Sequence, residues 1–169
     1  MRPRGNIKLI VVGWVLLLGA MLWIAVGWNE RETNPNRNVV STAAELVLQR
    51  ARDGHYYADG EINGRRVKFM LDTGATQIAM SRRLANDLGL ALGPALTLQT
   101  AAGPVTGYPA RLARVRLGEI EMHNLGAVVS EKMSDDSVLL GMNFLKRLEL
   151  VQRGDRLTLR PPASGVPAQ

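Results

Sequence analysis

The chain has 169 residues, 46% of them hydrophobic, and a computed isoelectric point of about 10.3, which is one ordinary domain plus an extension. It has no cysteine, which excludes a disulfide framework and a thiolate nucleophile, and its histidines, His55 and His123, lie too far apart for a dedicated zinc site, so no metal or cofactor is expected. The net charge of +6 falls to +3 (16 basic, 13 acidic) between Glu45 and Pro162, where the arginines are scattered without interleaved aromatics, so the basic surface reads as solvated and no nucleic-acid partner is expected.

The first element is an uncharged run from Leu9 to Trp28, long enough to cross a bilayer as a helix, with Trp23 and Trp28 suited to the interfacial belt. Arg2, Arg4 and Lys8 precede it and Glu30-Arg31-Glu32 follows, so residues 1–8 are expected in the cytoplasm and the rest beyond the membrane. A cleaved signal peptide with Ala25-Val26-Gly27 as its small-residue site is the competing reading, although the apolar core is longer than such peptides use. Either way the domain lies outside the cytoplasm, and the uncleaved anchor, preferred on that length, makes it a single-pass inner (plasma) membrane protein with its domain on the periplasmic side. Residues 29–44 are polar and poor in core formers, and read as a mobile linker.

The domain itself spans residues 45–162. Asp53-Gly54 and Asn63-Gly64 are hairpin dipeptides that divide three strand-length runs, Leu46 to Arg52, His55 to Ile62 and Arg65 to Leu71. A short helix from Ala43, capped by Thr42 with Glu45 three residues on, is the alternative for the first run. Gln77 to Met80 is another strand, and Ser81 caps a helix over Arg82 to Leu88 that Gly89 stops. Strands follow at Leu96 to Thr100 and Val105 to Leu117, around a tip at Ala101-Ala102-Gly103-Pro104, then at Ile120 to His123 and Ala127 to Ser130. Val138 to Leu140 runs into Gly141 and a brief helix from Met142 to Leu148. Leu150-Val151, a turn at Arg153-Gly154-Asp155 and Leu157 to Arg160 finish a mainly β domain with two short helices, and residues 163–169 are a flexible tail.

One stretch carries chemistry. Phe69-Met70-Leu71 drives into Asp72-Thr73-Gly74-Ala75, and the apolar character resumes at Ile78. An unpaired buried carboxylate is costly, so an acid in this setting is expected to be well hydrogen-bonded and partly shielded, as catalytic acids and bases are. Thr73 can bond locally through its hydroxyl, and Gly74 permits a tight backbone turn. The plainer reading of Asp-Thr-Gly is a strand end and a turn.

Leu71-Asp72-Thr73-Gly74-Ala75-Thr76, followed by Leu139-Leu140-Gly141 and a helix, resembles the retropepsin-like aspartic proteases, in particular their bacterial membrane-anchored members. Gly54-His55-Tyr56-Tyr57, Ile62-Asn63-Gly64 and Leu140-Gly141-Met142-Asn143-Phe144-Leu145 add to the likeness, which covers roughly residues 45–160. The resemblance implies a single-lobe, closed β-barrel and an endopeptidase in which two carboxylates activate water. The chain has only one Asp-Thr-Gly and no Asp-Ser-Gly, so a twofold homodimer with Asp72 from each copy is expected. In that arrangement Thr73 locks the two loops together, and Gly74 and Ala75 shape them. Gly141 supports the loop from beneath, or is simply a helix-start glycine. Thr100, Ala101, Ala102 and Gly103 belong to a flap over a peptide or protein substrate, and Ile78 and Met80 are expected to line the pocket. The contrasting expectation is a non-catalytic extracytoplasmic β-domain that binds a protein partner.

Overall fold

A computed structural model of the protein describes residues 14–21, 34–36, 45–100, 103–133 and 136–162. Residues 14–21 are helical (α1), with Trp14 and Leu18 exposed. The rest of the Leu9–Trp28 span, most of the 29–44 linker and the 163–169 tail lie outside the described residues. Among the described residues no helix is long and apolar enough to cross a membrane.

The strands are β1 (Leu46–Gln49), β2 (Tyr56–Ile62), β3 (Arg65–Leu71), β4 (Ile78–Ser81), β5 (Leu96–Thr100), β6 (Gly103–Leu117), β7 (Ile120–Ser130), β8 (Ser137–Leu140), β9 (Glu149–Arg153) and β10 (Arg156–Arg160). Two short helices, α2 (Arg82–Asp87) and α3 (Met142–Leu145), join them. Strands β2-β3-β8-β4-β7-β6 form a ring that closes where β2 meets β6, and β5 extends from β6 beyond the ring. A three-stranded sheet, β1-β10-β9, stands beside it.

Local chemistry accounts for most of these boundaries. Asn63 and Gly64 both take positive φ (52° and 83°), the conformation a two-residue turn needs to match strand twist, and β2 and β3 pair across it from Ile62↔Arg65 to Tyr56↔Leu71. Ser81 caps α2 by accepting a hydrogen bond from Leu84 N, as Ser at an N-cap should. Val67, Phe69 and Leu71 alternate inward on β3, and Phe69 and Phe144 are the largest fully buried side chains. The core gathers these with Ile78, Met80, Leu112, Leu125, Val129 and Leu140.

Four expectations change. The Asp53-Gly54 turn makes only a single antiparallel bridge, Arg50 to Tyr56, with Ala51 N donating to His55 O (2.8 Å), and not a full hairpin: β1 ends at Gln49 and pairs along its length with β10. The two short strands read on either side of Leu125 are one strand, β7. Asn124 takes a left-handed φ of 56°, which Asn tolerates, and the register with β6 is the same before and after it (Arg114↔His123, Leu112↔Leu125). The last helix stops at Leu145 rather than Leu148, and Arg147 and Leu148 continue in three-residue turns. Finally, part of the linker is docked. Asn34 and Asn36 are buried, and the Asn36 side chain donates to Gln49 O and Tyr57 O (both 2.8 Å) while accepting from Gln49 N (2.7 Å). One amide therefore satisfies backbone groups of both sheets and ties β1 to β2.

The barrel seam is electrostatic as well. Glu61 and Arg116 are register partners across the β2–β6 closure, and Arg116 donates to Glu61 at 2.5 Å. That bond holds the Glu61 carboxyl below its usual range. A carboxyl depressed in the folded state contributes stability above its unfolded pKa, about 4.5, and loses it as pH falls through the folded value. Acidifying from about pH 5 toward 3 should therefore lower the melting temperature of the wild-type chain more than that of Glu61→Gln, as thermal unfolding followed by circular dichroism will read.

Candidate active site

The ring order places the Asp72 loop. Strands β3 and β8 run parallel, with Leu71 opposite Leu140, so Asp72 and Gly141 arrive side by side. The Asp72 N–H donates to Leu140 O (3.2 Å), which extends the strand pairing by one bond into the loop. The chain then turns tightly: Gly74 N donates to Asp72 Oδ1 (2.8 Å), and Ala75 N donates to Asp72 O (3.3 Å). Asp72 is half-buried, whereas Thr73 and Gly74 are exposed. The acid thus sits at the end of a rigid strand, held by a backbone donor, with one face open.

The loop is supported from below by the start of α3. Met142 N donates to Ala75 O (2.8 Å) and Asn143 N to Thr76 O (3.0 Å). Gly141 packs so closely beneath that a Cβ there would lie 2.6 Å from the Gln77 carbonyl carbon and 2.7 Å from Ala75 O. Its φ of −85° is open to any residue, so the requirement for glycine is steric.

Asn143 is the supporting residue that sequence reasoning missed. Its side chain accepts from Ile78 N (3.1 Å) and donates to Gly126 O (2.7 Å), linking the far end of the loop to β7. An amide in the first turn after a strand-ending glycine was the available signal.

A cleft of about 560 Å³ opens above Asp72, lined by Ala75, Leu98, Thr100, Val128 and Leu139 among others. The β5–β6 arm is its roof. Thr100 Oγ1 donates to Gly103 O (2.7 Å), and Gly103 takes φ +98°, so these two flap residues close the arm together. Ala101 and Ala102, expected at the tip, lie outside the described residues. Ile78 and Met80 do not line the cleft: both are fully buried in the core, and Ala79 between them faces the cleft instead. The reason is parity, since on a strand successive side chains point to opposite faces. Among the described residues that line this cleft there is no carboxylate besides Asp72. Among the described residues, no group of three His, Cys, Asp or Glu side chains is placed to hold a metal ion.

With this geometry in place, the comparisons are specific. Residues 58–147, more than half the chain, match the family model described as "gag-polyprotein putative aspartyl protease". A crystal structure of a retropepsin-like aspartic protease from Rickettsia conorii is 35% identical, with a TM-score of 0.61 over 69% of this chain and 90% of that one. The chain belongs to the retropepsin-like aspartic proteases. Two curated relatives of this retropepsin-like chain are an uncharacterized protein in the cobV 5′ region of Sinorhizobium sp, 36% identical over 75% of the chain, and uncharacterized protein RP867 of Rickettsia prowazekii (strain Madrid E), 34% identical over 68%. The match spans 58% and 50% of their respective lengths, so the chain corresponds to about half of each.

Proposed function

We propose that this chain is one half of a homodimeric, membrane-anchored aspartic endopeptidase. The observation that carries the reading is the Asp72 loop: one Asp-Thr-Gly acid per chain, held by a backbone donor in a cleft whose described lining has no second carboxylate. Hydrolysis by carboxylates needs two of them, one ionised to activate water and one protonated to donate to the scissile carbonyl. Two carboxylates a few ångströms apart cannot both ionise easily, so the pair holds one proton and supplies both functions. A second copy related by a twofold axis provides the partner Asp72. The exposure of Thr73 and Gly74 in the single chain is consistent with a face that meets its twin.

In this reading Thr73 links the paired loops, Gly74 and Ala75 set the acid's orientation, and Gly141 fixes the loop from below. Thr100 through Gly103 cover the bound peptide and exclude water. The substrate is a peptide segment of a protein outside the cytoplasm. Residues 9–28 anchor the chain in the plasma membrane with the N-terminus inside and the barrel on the periplasmic side. The uncharged length of that run and the exposed apolar side chains of α1 support this placement. Anchored copies share a thin layer, which raises their effective concentration and offsets the cost of association.

The test is concentration dependence. Peptide cleavage by the full chain in detergent should fall more steeply than linearly on dilution, and recover when the chain is reconstituted at high density in vesicles. Strict proportionality to concentration, together with a monomeric mass by light scattering, would leave the paired-acid mechanism without support and favour a protein-binding domain.

A further inference from the structure

A second cavity, about 760 Å³, adjoins the Asp72 cleft, and Thr76 and Gln77 line both. Its chemistry is unlike that of its neighbour. Small residues (Ala91, Ala110, Gly126 and Ala127) line much of it beside Pro109 and Met142, and its polar lining comes from Thr76, Gln77, Asn143 and two cations. Gly126 leaves room for the Gln77 side chain between the cavities: a Cβ there would stand 3.1 Å from Gln77 Oε1. At the rim are two exposed cations, Arg111 and Lys146, and no lining residue is acidic. Arg111 donates to the Asn124 carbonyl oxygen (3.2 Å), which orients the guanidinium without neutralising it. Neither cation is ion-paired with a carboxylate among the described residues.

An extended peptide leaving the Asp72 cleft past Thr76 and Gln77 therefore enters a basin that holds amide groups and two positive charges with no ion-pair partner among the described residues. We propose that this basin is a specificity site for an acidic side chain, Asp or Glu, flanking the scissile bond, with Arg111 and Lys146 as the recognising residues. The proposal rests on the endopeptidase reading for its substrate, but its physical content is binding. A carboxylate gains charge-assisted hydrogen bonds there, whereas a lysine meets like charge.

The experiment uses the full chain with Asp72→Asn, so that peptides bind without being cut. A set of fluorescent peptides differs only in carrying Glu, Gln or Lys at successive positions on either side of the centre, and affinity is read by anisotropy. At one position Glu should bind about fivefold more tightly than Gln, the size exposed ion pairs supply, and Lys more weakly than both. The Glu preference should shrink at high salt and vanish in Arg111→Gln/Lys146→Gln. Lys146→Glu should shift the preference toward Lys, an inversion that an unfolded variant cannot produce. Equal binding of Glu, Gln and Lys peptides at every position overturns the proposal, as does a Glu preference that survives the double substitution. Cleavage of the same peptides by the wild-type chain separates the two readings. A binding preference with no cleavage sinks the endopeptidase and leaves the acidic site standing, whereas cleavage with no preference does the reverse.

Discussion

Asp72→Asn should abolish peptide cleavage, lowering the rate by about 10³-fold or more, with little change in melting temperature. The two effects separate because of where the side chain's bonds go. Gly74 N donates to Asp72 Oδ1, and an asparagine presents the same oxygen in the same place, so the turn keeps its bond. The backbone bond from residue 72 to Leu140 O does not involve the side chain at all. What is lost is the ionisable group, and with it, in the proposed paired-acid mechanism, both the general base and the shared proton.

Mixing sharpens the result. If each site takes one acid from each of two copies, an equal mixture of wild-type and Asp72→Asn chains, allowed to exchange, contains only about one quarter wild-type pairs. Activity should fall toward that quarter if one acid is insufficient. It should stay near one half if each chain works alone. Cleavage measured after co-purification of differently tagged copies distinguishes the two outcomes.

The sequence disclosed most where local chemistry decides structure. Strand β3 and its turn were readable because Asn63-Gly64 admits few other conformations and Val67, Phe69 and Leu71 alternate cleanly. Asp72 stood out because a carboxylate inside an apolar run needs an explanation. Features that depend on a distant partner were not readable. Strand β1 pairs with β10 at the other end of the domain, and no turn residue announces a pairing of that range. Asn34 and Asn36 sit in a polar stretch that looks solvated, and only the approach of Gln49 and Tyr57 makes the Asn36 amide a buried bridge. Ile78-Ala79-Met80 is apolar throughout, so composition gave no clue that Ala79, rather than its neighbours, faces the cleft. The basin behind Thr76 and Gln77 was illegible for a related reason: Arg111 on β6 and Lys146 at the end of α3 line one cavity only because the fold brings those elements to the same loop.

Gly141→Ala tests the support beneath the acid. At φ −85° an alanine costs nothing in backbone conformation, so the effect isolates a steric clash. The added methyl would press on backbone atoms of Ala75 and Gln77, which cannot rotate away as a side-chain tip can. Relief requires moving the 75–77 segment off α3, which stretches the bonds from Met142 N to Ala75 O and from Asn143 N to Thr76 O. Overpacking of this kind costs about 1–3 kcal/mol, visible as a lower melting temperature. The catalytic cost should be larger. Asp72 lies only a few residues from the displaced segment, and misplacing a reacting group by about 1 Å can cost about 10²-fold in rate. Measured kcat/KM should thus fall well beyond what the loss of folded protein explains at a temperature where the variant is still folded. Parallel losses of activity and folded fraction would instead make Gly141 a helix-start glycine with no special bearing on Asp72.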